Sequence, residues 1–269
     1  MQDFDRSAAL AAFRRDGYFL VKGALTAAAC SALRAEIDDA LADYPQPPAT
    51  RHTRPAMMTR GPRFEAMIDQ EPVASLCEEL LTFERGDKTL AETAADRTSC
   101  HIINMTAMVN DPGDPGQHWH IDDFLLLPRP LGVPWDPRIP FPVFIITAMY
   151  YLNDVPLERA PTELVPGSQS SGRKPEPFAE RPEYEGRGPE AIVCKAGDCL
   201  IFNSQVWHHA RPNRSQEPRV VLQVHYAARF IAQRYWPFPM ARFPAEFLER
   251  LTPRRQALFG MHPCMGQYT

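Results

Sequence analysis

No apolar run in the chain is long enough to cross a bilayer. The longest, Val143 to Leu152, is ten residues and includes Thr147, against the roughly 18 residues that a membrane helix needs. An excess of either charge is also missing: 29 Lys and Arg stand against 33 Asp and Glu, for a net charge of −4 and a pI near 6.1. A nucleic-acid surface is therefore not expected. The opening residues, Met1-Gln2-Asp3-Phe4-Asp5, have neither the basic start nor the apolar stretch of a signal peptide, so a cytoplasmic location is expected. The six cysteines, Cys30, Cys77, Cys100, Cys194, Cys199 and Cys264, form no C-x-x-C pair. A chain of this size needs no disulfide staples, and buried thiols are expected. Glycine is scarce, 14 residues against 28 prolines, which points to long, stiffened loops rather than tight glycine turns.

What remains is the composition of a globular protein, 44% hydrophobic and 23% charged, which excludes disorder and collagen-like sequence. The length corresponds to about 1.8 average domains, but barrels and sandwiches often fold as one unit of this size. A single elaborated domain over residues 1–269 is the expectation adopted. Its first part, 1–99, reads as mainly helical. Helices are expected at 5–15 and 26–44 around a short strand at 17–23, with Thr26 as a cap and Leu33, Ile37 and Leu41 as an apolar stripe. A further helix is expected at 72–81, where Val73, Leu76, Cys77, Leu80 and Leu81 share a face.

From residue 100 to 227 the pattern turns to β-rich runs: Cys100–Val109, Trp119–Phe124, Val143–Leu152, Ala191–Val193, Cys199–Asn203 and Arg219–Ala227. Helical pattern returns at Arg242–Gly260, within a C-terminal segment 228–269. The fold class is thus mainly β with flanking helices, a barrel or a sandwich. Two proline-rich stretches interrupt the core, Pro112–Pro142 with eight prolines and Pro175–Pro189 with four. Loops of such length inside a compact domain usually have a function, and the first is expected to lie over the mouth of the site as a lid.

The densest group of ligand-type side chains is Gln117-His118-Trp119-His120-Ile121-Asp122-Asp123. In a strand, residues two apart share a face, so His118, His120 and Asp122 are able to point the same way. A second histidine pair, His208-His209, follows the strand-like Cys199–Asn203. Two imidazoles and a carboxylate on one face leave positions open for ferrous iron and oxygen chemistry, although zinc hydrolases use similar ligands. Arg219 opens the apolar run Arg219–Tyr226, where a guanidinium needs an anion. Either a structural Asp or Glu or a dicarboxylate cosubstrate suits its planar fork.

In this order the motifs resemble the phytanoyl-CoA dioxygenase family of iron(II)- and 2-oxoglutarate-dependent oxygenases. The resemblance runs through Phe13-Arg14-Arg15-Asp16-Gly17-Tyr18, His120-Ile121-Asp122, Thr147-Ala148-Met149, Pro166-Gly167-Ser168, Gly197-Asp198, the spacing from His208 to Arg219 and the ending Leu251–Gly260. It implies a double-stranded β-helix (jelly-roll, cupin-like) core, with Fe(II) on His120, Asp122 and His208 and with Arg219 on the far carboxylate of 2-oxoglutarate. It further implies that O2 is consumed and a C–H bond hydroxylated, with succinate and CO2 released. Related halogenases have a small residue in place of the carboxylate, so Asp122 favours hydroxylation.

The chain departs from the family pattern at several points. His209 and Ala210 stand where the family often has Gly then Ser after the distal histidine, so either another hydroxyl or amide substitutes in holding the cosubstrate or affinity for it falls. Ala160-Pro161 replaces Gly-Pro, Gln169 replaces a histidine, and Ile146 a tryptophan. Trp119, Phe124, Trp135, Tyr150, Tyr151, Phe202, Trp207 and Tyr226 are available as pocket walls, with core packing the expected role of each. No run of Lys and Arg suggests a coenzyme A phosphate site. The expected partner is a free small molecule such as a natural-product intermediate, bound by a monomer or homodimer. Two alternatives stay open: a cupin-type metal dioxygenase or hydrolase that uses His118, His120 and a downstream histidine without 2-oxoglutarate, and a non-catalytic ligand-binding barrel.

Overall fold

The computed structural model describes residues 4–45, 49–82, 84–85, 88–89, 100–122, 130, 132–133, 136, 142–232 and 243–260. The chain opens with α1 (Arg6–Asp16), β1 (Tyr18–Val21), α2 (Ala27–Ala42), β2 (Arg51–Arg54), α3 (Pro62–Ala66) and α4 (Val73–Leu80). A pair of two-residue strands follows, β3 (Glu84–Arg85) and β4 (Lys88–Thr89). The β core comprises β5 (Cys100–Asn110), β6 (Ile145–Tyr151), β7 (Thr162–Leu164), β8 (Glu190–Ala191), β9 (Cys199–Asn203), β10 (His208–Ala210) and β11 (Arg219–Ala228). Two short helices, α5 (Ala245–Glu249) and α6 (Pro253–Leu258), follow.

Local chemistry explains the helix ends. The Asp5 carboxylate accepts from the Ala8 N–H at 2.9 Å and Thr26 Oγ1 from Ala29 at 3.2 Å, each satisfying a donor that the first helical turn leaves open. Helix α1 stops at Gly17, whose φ of 85° is left-handed. A Cβ there would lie 2.4 Å from Val206 Cγ2 and 2.5 Å from Gln169 Oε1, so glycine is required by space as well as by conformation. Residues Cys30, Leu33, Ile37 and Ala40 form the buried face of α2.

Six strands pair antiparallel in the order β1-β9-β6-β11-β5-β2, and three more in the order β10-β7-β8. Between the two sheets lies a core that includes Met149, Tyr151, Leu164, Leu200, Phe202 and Val221. The opposite face of the large sheet, with Ile146, Ala148, Tyr150, Leu222, Val224 and Tyr226, packs with Leu33, Ile37, Phe64, Leu76 and Phe247 of the helical layer. Every residue of β6 and β9 is therefore buried. That is why these strands read as unbroken apolar runs rather than alternations. Full burial of each large apolar side chain contributes about 1.5–3 kcal/mol. The architecture is a jelly roll. Five cysteines, Cys30, Cys77, Cys100, Cys194 and Cys199, are buried free thiols, while Cys264 lies outside the described residues.

Several expectations need correction. The part before residue 100 holds the expected strand, as β1, and one that was not expected, β2; the two form the edges of the large sheet. Strand β2 reads Arg-His-Thr-Arg and carries no hydrophobic signal, its pairing being set by β5. Of the expected strand Trp119–Phe124, only a backbone bridge at His120 forms, and residues 123 and 124 lie outside the described residues. The C-terminal pattern is split between α5 and α6 by a break before Pro253, with Thr252 Oγ1 capping α6 by accepting from Arg255 at 3.3 Å. Arg255 ties α6 to Asp69 at 2.8 Å and to Glu65 at 3.1 Å.

Candidate metal and cosubstrate site

The segment 113–122 is laid along β10 by backbone hydrogen bonds. Gly113 donates to the Asn213 carbonyl and Gln117 to that of Ala210, both at 2.9 Å. His120 and His208 exchange N–H···O bonds, each at 3.0 Å, and Asp122 donates to the Ser204 carbonyl at 3.0 Å. Gly116 permits this close approach: its φ is 85°, and a Cβ would sit 2.5 Å from the Ala210 carbonyl oxygen. This half of the proline-rich stretch is thus anchored to the core. The expected lid falls largely on residues 123–129 and 137–141, outside the described residues.

The two imidazoles present the same edge. His120 Nδ1 lies 2.7 Å from the His118 carbonyl, and His208 Nδ1 lies 2.8 Å from that of Val206. A carbonyl only accepts, so Nδ1 carries the proton in each ring and the Nε2 lone pair is left for a metal. Asp122 Oδ1 is 3.7 Å from His120 Nε2 and 3.3 Å from His208 Nε2. One ligand atom from each of the three residues lies within 4.8 Å of the others. Burial, reinforced by the neighbouring His208, lowers the His120 pKa to about 4, which keeps the ring neutral near pH 7. Burial pushes Asp122 up, but His208, His225 and His120 together hold it well below the usual carboxylate range. A neutral, neutral, anionic set suits a divalent cation.

Thr147 supports the carboxylate from β6. Its Oγ1 lies 3.3 Å from Asp122 Oδ2, 3.2 Å from Ser204 Oγ and 3.1 Å from His225 Nδ1. An ionised carboxylate only accepts, so Thr147 donates to Asp122, and Ser204 and His225 donate to Thr147. The signal was present in the sequence, since Thr147 is the sole polar residue of an apolar run of ten. Half-buried Asn104, Thr106, Met108 and Gln223 share the sheet face of His225.

Other candidates separate from this set. His118 is exposed, with its ring 4.4 Å from that of Phe178. His209 points to the opposite face of β10, where it stacks on Trp119 with ring centroids 4.0 Å apart and meets Glu163 Oε2 at 2.7 Å. That hydrogen bond, with Arg211 nearby, holds Glu163 below its ordinary pKa. Among the aromatics, Tyr150 and Tyr226 pack on the helical layer, whereas Tyr151 and Phe202 face the space between the sheets. Trp119 and Trp207 form a separate cluster with Ile121, Val165 and Tyr184. Phe124 and Trp135 lie outside the described residues.

Arg219 is 1% exposed and opens β11 opposite Asn110. Its Nη1 donates to the Ala160 carbonyl at 2.7 Å and reaches Thr162 Oγ1 at 3.5 Å, while Nη2 donates to Asn110 Oδ1 at 2.7 Å. Its Nε has no partner. Burial lowers its pKa from the ordinary arginine value, and among the described residues no carboxylate forms an ion pair with it. Asp114, the carboxylate that acts on it at longer range, is paired with Arg51, so the guanidinium fits a pocket that receives an anion from a ligand. Ala160, the residue in the place of the family's glycine, has φ of 44°, in the left-handed region. Thr162 is the register partner of Ala210 and brings a hydroxyl beside the position that lacks the serine. Asn213 and Ser215 shape the turn into β11: Asn213 Nδ2 donates to the Asn110 and Glu217 carbonyls, each at 2.9 Å, and Ser215 Oγ donates to Asn213 Oδ1 at 2.8 Å.

With this geometry in view, comparison defines the class. The phytanoyl-CoA dioxygenase (PhyH) family model matches residues 13–221, and the chain belongs to that family. The dioxygenase cdmA of Talaromyces verruculosus is similar at 23% identity over 272 residues, 95% of this chain and 83% of that protein. Two solved structures share the fold. The epimerase SnoN in complex with Fe3+, alpha ketoglutarate and nogalamycin RO aligns with a TM-score of 0.60 at 22% identity, over 83% of this chain and 84% of its own. The non-heme alpha ketoglutarate dependent carbocyclase SnoK from nogalamycin biosynthesis aligns with a TM-score of 0.60 at 17% identity, over 85% and 86%.

Proposed function

We propose that the chain is an iron(II)- and 2-oxoglutarate-dependent oxygenase that hydroxylates an unactivated C–H bond of a small organic molecule such as a natural-product intermediate. The observation that carries this reading is the convergence of His120, Asp122 and His208, with both Nδ1 atoms turned to backbone carbonyls and the Asp122 carboxylate beside both Nε2 atoms. The fit extends to 2-oxoglutarate, because among the described residues Arg219 is a buried cation with an unpartnered Nε and no ion-paired carboxylate. Family membership and the Fe3+ and alpha ketoglutarate in SnoN support the same pair of groups. When bound, iron, 2-oxoglutarate and O2 supply the oxidation: one oxygen atom enters the substrate C–H bond, the other enters succinate, and CO2 leaves.

The chain's own residues hold and shield that chemistry. His120, Asp122 and His208 would hold the metal through two neutral imidazoles and one carboxylate, with room for cosubstrate and O2. Thr147 fixes the orientation of Asp122, and Arg219 orients the cosubstrate by its far carboxylate. Tyr151, Phe202 and Val221 exclude water between the sheets. Because β1, β2 and the helical layer pack on the same large sheet as the core strands, we read residues 1–269 as one domain.

Anaerobic titration of metal-free protein with Fe(II) and then 2-oxoglutarate tests the proposal. A weak visible charge-transfer band should appear with a 1:1 end point and be lost in His120→Ala, Asp122→Ala and His208→Ala. A folded wild-type protein that binds iron without developing the band would point instead to a metal oxygenase or hydrolase that does not use 2-oxoglutarate.

A further inference from the structure

Ala210 removes the hydroxyl that the family often places beside the far carboxylate of the cosubstrate, and the residues around Arg219 show where a replacement donor lies. Thr162 is already engaged: its Oγ1 accepts from Tyr151 Oη at 3.0 Å, approaches Arg219 Nη1 at 3.5 Å, and donates towards Met149 Sδ at 3.6 Å. Asn110 is different. It is fully buried, and its Oδ1 accepts from Arg219 Nη2 at 2.7 Å. Arginine has no acceptor, so the amide is held with oxygen towards Arg219 and nitrogen away from that bond. Among the described residues its Nδ2 then has no hydrogen-bond partner, and neither has the Nε of Arg219. Other arginine Nε atoms, of Arg51 and Arg159, are also unpartnered, but here two such buried donors belong to directly paired residues and are placed to share one acceptor.

We propose that Asn110 is a cosubstrate-binding residue whose Nδ2 donates a hydrogen bond to the far carboxylate of 2-oxoglutarate beside Arg219, in place of the missing serine. The inference rests on the 2-oxoglutarate reading above. An amide donor next to a guanidinium discriminates by the far end of the ligand: a carboxylate accepts from both groups, whereas a methyl group leaves both buried and unpaired.

The test compares anaerobic binding of 2-oxoglutarate and 2-oxopentanoate, which keeps the keto acid and lacks the far carboxylate, to the Fe(II)-loaded protein by the charge-transfer band. Asn110→Ala should weaken 2-oxoglutarate by about tenfold to a hundredfold, the range for a hydrogen bond to a charged group. Its 2-oxopentanoate and iron constants should stay within about twofold of wild type. Asn110→Asp is nearly isosteric and keeps an oxygen for Arg219, so it guards against a folding defect. It should weaken 2-oxoglutarate further, because an anion then stands where the ligand carboxylate belongs. Direct donation is separated from mere positioning of Arg219 by repeating Asn110→Ala in an Arg219→Ala background, where a further several-fold loss is expected. An unchanged 2-oxoglutarate constant in folded Asn110→Asp, equal loss of both ligands, or no further loss without Arg219 would each overturn the assignment. Absence of 2-oxoglutarate binding in wild type would overturn the functional reading itself, and this inference with it.

Discussion

Thr147→Val removes one hydroxyl and keeps the branched shape, so it isolates the hydrogen bonds around the Asp122 carboxylate. In the native protein Thr147 Oγ1 donates to Asp122 Oδ2 and accepts from Ser204 and His225, at distances of 3.1–3.3 Å. Without it, Oδ2 loses the donor that turns Oδ1 towards the two imidazoles, and Ser204 loses an acceptor in a fully buried setting. Removal of partners that orient metal ligands typically costs 10- to 100-fold in affinity, or about 1.4–2.8 kcal/mol. The same change should lower folding stability by about 1–3 kcal/mol, because buried polar groups are left unsatisfied. Thr147→Ser restores the hydroxyl and should recover most of the affinity. Titration of metal-free protein with Co(II), read by its visible ligand-field bands, measures the effect without turnover. A folded Thr147→Val variant that binds Co(II) within twofold of wild type would refute the reasoning, as would a serine variant no better than valine.

The remaining predictions concern the cosubstrate anchor, the spare histidines, the strained alanine and an acid-sensitive ion pair. Arg219→Ala should weaken 2-oxoglutarate by about 10- to 150-fold, the equivalent of roughly 1.5–3 kcal/mol. Arg219→Lys should fall between alanine and wild type, since lysine keeps the charge and loses the fork, and anaerobic titration checks both. His118→Ala and His209→Ala should keep Co(II) affinity near wild type, because neither imidazole joins the ligand set; loss as complete as in His120→Ala would restore the cupin-like alternative. Ala160→Gly should raise stability in urea by about 0.5–1 kcal/mol, because relief of a left-handed φ outweighs the added chain entropy. A less stable glycine variant would show that no strain resides there. Burial pushes Asp16 up, but hydrogen bonds and charge from Arg15 and Arg187 hold its pKa below 3.8. Its stabilisation should therefore be complete above about pH 5 and fade as pH falls through the folded-state value. The stability difference between wild type and Asp16→Asn should be flat above pH 5 and shrink below pH 4 in denaturation curves.

The large sheet was legible in the sequence because its strands are buried on both faces. Strand β9 occupies the expected Cys199–Asn203, and β6 and β11 fall on the expected apolar runs. Helices α1, α2 and α4 fall within a residue or two of their apolar stripes and caps. The small sheet was barely legible. The expected run Ala191–Val193 meets β8 only at Ala191, and β7 and β10 are three residues each and carry Thr162, Glu163, His208 and His209, so no run of apolar or alternating residues marks them. Of the site, residue types singled out His118, His120, Asp122, the pair His208-His209 and Arg219, and the family resemblance chose among them; the structure brings His120, Asp122 and His208 together. What stayed hidden was support made by residues distant in the chain. Asn110 lies 109 residues from Arg219 and Thr147 lies 25 from Asp122, and pairing at that range depends on strand register, which local pattern does not encode.

The backbone bridge between His120 and His208 divides the labour within the three-residue set. Both imidazoles belong to the framework: their main chains are mutual hydrogen-bond partners, and their rings are steered by carbonyls two residues before each. Asp122 is held by one backbone bond, to the Ser204 carbonyl, and by the hydroxyl of Thr147. The histidine pair is therefore preorganised whatever stands at position 122, whereas the carboxylate is a separately adjustable element. On the proposed reading, substitution at that one position would alter the charge and the number of open sites at the metal while the two imidazoles stay in place. A scaffold arranged in this way lets the outcome of the oxidation diverge at a single residue, with the sheets that carry it unchanged.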